Sequence, residues 1–115
     1  VGAYFESHPV GTPRATLTTL ETDTQFTRHL PASWSIEDEW YNYTFQNEVI
    51  IPLLNLEESS YEGGNNGYRH PITWYHDFDG GRSFYTGLGH KKSTYEDPRF
   101  IQLLQKGISY AMGQP

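Results

Sequence analysis

Two spacings organise the apolar residues of this chain: alternation governs most of its length, and a helical period takes over near the end. Residues 15–21 alternate, with Ala15, Leu17 and Thr19 on one face and Thr16, Thr18 and Leu20 on the other. The β-branched threonines predict an exposed or edge strand there. Residues 1–14 carry Gly2, Pro9, Gly11 and Pro13 and read as a loop after an apolar stub, with His8 as a loop histidine. Residues 22–31 read as a turn with a short helical turn over 24–29, ended by Pro31. Residues 36–43 predict a strand with an unusual acidic load. Its period of two places Glu37, Glu39, Tyr41 and Tyr43 on one face and Ile36, Asp38, Trp40 and Asn42 on the other. Three adjacent acids require that one face meets water or a polar cavity.

Residues 49–56 form the most apolar run, a buried strand in which Pro52 calls for a bulge or an edge. Residues 57–68 are polar and hold five consecutive turn formers, Gly63 to Gly67, so they read as a loop or as a lid over a site. Residues 72–78 alternate again, with Ile72, Trp74, His76 and Phe78 on one face. Asp79-Gly80-Gly81 then signals a tight turn and residues 82–88 return, which predicts an antiparallel hairpin. After a polar loop over 91–96, Asp97 is a helix N-cap and Pro98 the first helical residue. Phe100, Leu103, Leu104, Gly107, Ile108 and Ala111 follow as one apolar stripe, and Gly113 ends it. At 1.5 Å per residue such a helix spans roughly 22 Å, enough to cross a sheet face.

Composition narrows the function classes. The 115 residues suit one modest domain or half of a larger one. The formal net charge of −6 argues against nucleic acid, since Lys91-Lys92 is the basic pair of the chain and phosphate neutralisation needs clustered cations. No apolar run is long enough to span a membrane as a helix. No secretory signal is visible, and the abrupt apolar start without an initiator Met reads as an excised or processed fragment. With no cysteine, disulfides, thiolate zinc sites and a Cys nucleophile are excluded within this chain. Aromatics make up 16% of the residues, enough to fill a core and still offer exposed rings for stacking on sugars.

The stretch Phe84-Tyr85-Thr86-Gly87-Leu88-Gly89-His90 reads as a strand that stops at two glycines and presents a histidine, and strand carboxyl ends are where α/β proteins collect chemistry. His90 is therefore the central candidate. A carboxylate beside it would make an acid/base pair or two ligands of a metal, and Glu39 is the candidate carboxylate. No HExxH, GxSxG or phosphate-binding glycine loop is present. His29 reads as a residue of a polar connection, and His76 as a core histidine.

The segments Ser7-His8-Pro9, Leu30-Pro31-x-Ser33-Trp34, Asp38-Glu39-Trp40-Tyr41-Asn42, His70-Pro71-Ile72-x-Trp74 and Gly80-Gly81-Arg82-x-Phe84-Tyr85-Thr86-x-Leu88-Gly89-His90, with the tail Tyr95-x-Asp97-Pro98-x-Phe100 and Gly107-Ile108, resemble the ThuA-like (trehalose-utilisation) domain family over nearly the whole chain. The resemblance implies an α/β fold: part of a flavodoxin-like sheet, related to class I glutamine amidotransferases, with an antiparallel hairpin and a C-terminal helix. A full domain of the family is about twice this length. The chain, residues 1–115, therefore resembles a single ThuA-like domain's C-terminal half, and its partner would be the missing N-terminal half or a second copy.

By position, His90 falls where the amidotransferase relatives place their catalytic histidine, which does not transfer glutamine hydrolysis. The resemblance implies a carbohydrate role: a hydrolase-like domain acting on (3-keto) sugars or glycosides, or a non-catalytic carbohydrate-binding or interaction module. In the first case Glu39 and His90 are the catalytic pair. Tyr41, Asn42, Arg82 and Tyr85 bind the sugar or glycoside, and His70 assists or joins Glu39 and His90 around a divalent metal, with no other cofactor implied. The resemblance leans toward a secreted or periplasmic setting.

Overall fold

The computed structural model describes residues 2–20, 24–45 and 50–113. The expectations placed on residues 21–23 and on Val49 lie outside these, as does the side chain of Phe78. The elements in chain order are β1 (Ala3–Ser7), β2 (Arg14–Thr19), β3 (Ser33–Glu37), β4 (Asn42–Phe45), β5 (Ile51–Glu57), β6 (Pro71–Phe78), β7 (Gly81–Thr86) and α1 (Pro98–Ala111), with 3-10 turns at Glu58–Ser60 and Lys92–Glu96. The chain is α/β, with a five-stranded sheet in the order β3-β2-β5-β6-β7, a separate β1-β4 ribbon and the C-terminal helix. Every pairing among the described strands is antiparallel. No helix among the described residues is long and apolar enough to cross a membrane.

The hairpin forms as its turn chemistry requires. Phe78 pairs with Gly81, so the loop is the two residues Asp79-Gly80. Both have positive φ (50° and 79°), the backbone of a turn whose twist matches the strands it joins. On β6, Ile72 and Trp74 are fully buried and His76 nearly so, the face that the alternation predicts. β5 lies between β2 and β6, and its pairing with β6 shifts register between Pro52 and Leu54, the bulge that a proline in an interior strand demands. Leu53, Leu54 and Leu56 are buried there, each side chain contributing about 1.5–3 kcal/mol.

α1 starts where Asp97 caps it: the Asp97 carboxylate accepts the Arg99 backbone N–H at 2.9 Å, and Pro98 follows at the first position. Phe100, Leu103 and Gly107 form its buried face. Gly107 packs on Phe84 of β7, and a Cβ at that position would lie 2.4 Å from the ring. The 24–30 segment makes the expected helical turn through the Thr27 and Arg28 N–H groups donating to the Thr24 carbonyl.

Two expectations are corrected. Residues 3–7, read as an apolar stub, are strand β1, because pairing with β4 satisfies their backbone. Residues 36–43, read as one strand, belong to two: β3 ends at Glu37 and β4 begins at Asn42, in different sheets. The alternation nevertheless runs through the break, with Trp34, Ile36, Asp38, Trp40 and Asn42 all buried and the residues between them half-buried. Trp40 is anchored where the ladder stops, its Nε1–H donating to the Pro13 carbonyl at 2.7 Å.

Candidate functional site

The break between β3 and β4 and the segment after β7 build one site. β7 is an edge strand of the five-stranded sheet, not a central one, and the chain leaves it through Gly87-Leu88-Gly89. The glycines permit close approach: a Cβ at Gly87 would lie 2.3 Å from the Tyr43 hydroxyl, and one at Gly89, whose φ is 110°, would lie 2.7 Å from that of Tyr95. His90 then reaches the end of β3, where Asp38 fixes it.

Asp38 is fully buried and its carboxylate accepts five hydrogen bonds. One comes from the N–H of its neighbour Glu39 at 2.9 Å. Three come from the successive N–H groups of Gly89, His90 and Lys91 at 2.7, 3.1 and 3.0 Å. The fifth comes from the Thr94 hydroxyl at 2.9 Å. A buried carboxylate so surrounded is a rigid clamp on the backbone that carries His90. The Lys91 ammonium also pairs with Glu37.

Glu39, next to the clamp, lies at the centre of the site. Its Oε2 lies 3.3 Å from the His90 Nε2 and its Oε1 lies 3.6 Å from the His8 Nε2. The Glu39 side chain is 15% exposed, against 52% for His90 and 37% for His8, so the carboxylate sits below two imidazoles that reach solvent. Tyr41 completes the group: burial first, then its hydrogen bond to Glu39, pushes its phenol up to about 12. It is a neutral donor across the physiological range. Beyond it, the Tyr43 and Tyr85 hydroxyls are 2.8 Å apart, and burial raises both phenols above the ordinary range.

Of the residues singled out in the sequence, Glu39, His90 and Tyr41 are brought together. Tyr85 stands behind them, stacked on Trp74 at 4.3 Å with its hydroxyl engaged by Tyr43. The other three are placed elsewhere or are spent. Asn42 is buried and its amide is used inside the protein, donating to the Ser7 hydroxyl and the Gly63 carbonyl and accepting the Asn65 N–H. Arg82 lies beside the hairpin turn at the opposite end of β7 from His90, facing Asp77 and positioned over the Tyr110 ring.

His70 does not join Glu39 and His90 around a metal. It is fully buried, with Nδ1 2.6 Å from Glu58 and Nε2 2.8 Å from the Tyr41 carbonyl, so neither nitrogen is available as a ligand. Among the described residues no group of three or more His, Asp or Glu side chains has metal-holding geometry.

His70 instead supports the site from beneath. Glu58, which it meets, also accepts the N–H groups of Asn66 and Gly67 at 2.7 and 3.0 Å, and Asn66 exchanges hydrogen bonds with the Tyr43 backbone. The glycine-asparagine loop is therefore tied to the residues that follow Glu39, as a strap rather than a lid. A concavity of about 240 Å³ lined by Leu56, Glu57, Glu58, Ser59, Gly67 and Tyr68 lies along this strap. Its carboxylates are occupied by Thr18, Asn55, His70 and the loop N–H groups.

His8 and Asp38 are the members that residue-by-residue reading misses. Nothing local ties either one to His90. The Ser7-His8-Pro9 and Asp38-Glu39-Trp40 segments do appear among the matched motifs, and that was the available signal.

The comparisons with known proteins agree with this geometry at the level of the fold. No curated protein matches the sequence significantly. A ThuA-like protein from Bacteroides uniformis superimposes with a TM-score of 0.75 at 21% identity, over 95% of this chain and 47% of its own. One from Parabacteroides merdae gives 0.68 at 23% identity, over 98% and 42% respectively. The chain thus spans about half the length of these structures. The family model described as trehalose utilisation matches residues 1–111, and the chain belongs to that ThuA family.

Proposed function

We propose that this chain supplies the acid/base half of a carbohydrate-processing site, hydrolase-like and acting on (3-keto) sugars or glycosides, as part of a longer ThuA-like domain. The observation that carries this reading is the Glu39 carboxylate held between the Nε2 atoms of His90 and His8 at 3.3 and 3.6 Å. A mostly enclosed carboxylate beside two imidazoles provides a proton acceptor and a proton donor within reach of one bound molecule. Ordinary glycosidases flank the scissile bond with two carboxylates. Here the second nearby carboxylate, Asp38, is buried and fully used as a clamp.

One carboxylate with two imidazoles suits removal of a proton next to a ketone better than stabilisation of an oxocarbenium ion. In a 3-keto sugar the C2–H bond is acidic. Glu39 takes that proton, the electron pair forms the C1–C2 double bond, and the C1–O bond breaks as an imidazolium protonates the departing oxygen. Water then adds to the unsaturated sugar to complete hydrolysis. Tyr41 donates toward Glu39 and positions it.

The test is product release by the intact protein from 3-keto-disaccharides and from aryl glycosides. Release from the keto sugars with little from the glycosides is the expected outcome. Binding of both without turnover would instead favour the non-catalytic module, a reading supported by the exposed ring of Phe5 beside the site.

A further inference from the structure

Phe5 is 58% exposed, yet its ring is held in place. It meets Tyr41 edge to face, with centroids 5.2 Å apart and planes at 86°, and lies 6.0 Å from the His8 ring. His8 and Tyr41 are themselves 6.0 Å apart, at 69°. The three rings form a small wall, and two of them, His8 and Tyr41, also face Glu39. An exposed aromatic ring fixed beside polar groups offers an apolar face on which the apolar side of a ligand ring can lie.

The polar half of the wall has a definite sense. The His8 Nδ1 lies 2.7 Å from the Pro9 carbonyl, which accepts only, so Nδ1 carries the proton. In the neutral ring that tautomer leaves a lone pair at Nε2, 3.6 Å from Glu39 Oε1. In that form Nε2 and Oε1 are two acceptors side by side, too far apart to bond each other. Adjacent hydroxyls on a sugar ring offer two donors side by side. A phosphate or carboxylate offers none and is repelled by Glu39 in a chain of net charge −6.

We infer that Phe5, His8 and Glu39 form a pyranose subsite: the apolar face of the sugar ring lies on Phe5, one hydroxyl of a vicinal diol donates to His8 Nε2, and its neighbour donates to Glu39 Oε1. This assignment rests on the carbohydrate reading above: in a keto-disaccharide the diol belongs to the unoxidised ring, and the Oε2 of Glu39, beside His90, is left for the proton transfer. It adds the part of the ligand that is recognised and makes His8 a binding residue.

The experiment is calorimetric titration of the intact protein with trehalose, with methyl α-glucoside, and with methyl glucosides lacking one ring hydroxyl at a time. The proteins are wild type, Phe5→Leu, Phe5→Tyr and His8→Ala, each checked by circular dichroism melting. Leu keeps the apolar bulk and removes the ring face, so Phe5→Leu weakens binding about five- to tenfold while Phe5→Tyr retains it. His8→Ala weakens the parent glucoside and leaves unchanged the one deoxy sugar that lacks the hydroxyl bound by His8. Should Phe5→Leu fold poorly, the His8→Ala comparison across the deoxy series decides alone. Sugar binding that is indifferent to both substitutions overturns the subsite and leaves the broader reading standing. No binding of any of these sugars to the wild-type protein also overturns the subsite, while the keto-sugar reading stands or falls on its own turnover test.

Discussion

Asp38 accepts the backbone N–H of His90 at 3.1 Å, and the very next side chain, Glu39, meets the His90 imidazole at 3.3 Å. One residue fixes the main chain of the histidine and its neighbour engages the ring. Hold on the backbone and contact with the ring are thereby divided between two adjacent carboxylates that point to opposite faces of a strand-like segment.

Asp38→Asn tests the positioning half. The amide keeps the size but replaces one accepting oxygen with an NH2 group facing backbone donors. The substitution should cost about 2–4 kcal/mol in urea or thermal unfolding. It should also broaden or shift the NMR signals of Gly89, His90 and Lys91 while those of the β6–β7 turn stay in place. Wild-type stability in Asp38→Asn would contradict the clamp.

His70 makes a second prediction. The Tyr41 carbonyl can only accept, so Nε2 donates to it. The His70 Nδ1 lies 2.6 Å from Glu58, whose carboxylate also accepts two backbone N–H groups. His70→Phe leaves a buried carbonyl and a carboxylate without this partner. A loss of about 3–5 kcal/mol follows, with faster hydrogen exchange at Asn66 and Gly67.

The helix cap carries an acid-side prediction. Hydrogen bonding to Arg99 holds the Asp97 carboxyl below its ordinary value of 3.8. A lowered folded-state value means stability that is present above the unfolded value and lost as pH falls through the folded one. Asp97→Ala should therefore cost about 0.5–2 kcal/mol near neutrality. The gap between mutant and wild type should narrow in thermal melts as pH falls below 3.8.

These features differ in how far they could be read from the chain. The Asp97-Pro98 cap and the Asp79-Gly80 turn are decided by residues next to one another, so their chemistry was visible locally. The alternation from Ile36 to Asn42 was legible too, though not which of its faces would be buried. The break within it was not, because β3 pairs with β2 and β4 with β1, and those partners lie far off in sequence. The same distance hid Asp38, whose partners at 89–91 lie more than fifty residues away. Asn42, Arg82 and His70 were the right residue types for binding or metal ligation. A buried hydrogen-bond set used up Asn42 and His70, and the far end of a strand removed Arg82. Glu39 and His90 were each recognisable, but only folding sets them 3.3 Å apart.

Tyr41 supplies an alkaline-side prediction. Its folded-state phenol is raised to about 12 from 10.0, so the associated stability is present below pH 10 and is lost as pH rises through the folded value. Tyr41→Phe should flatten the fall in stability between those two values, measured by thermal melts at graded alkaline pH.

In the proposed reaction Glu39 performs the proton transfer. That role is tested most directly by kcat/KM on a 3-keto-disaccharide for the intact wild-type protein and for Glu39→Gln, which keeps the shape and removes the base. A fall of about 10²–10⁴-fold with unchanged thermal stability is the predicted result. A Glu39→Gln protein that turns over the keto sugar as fast as wild type would contradict the account.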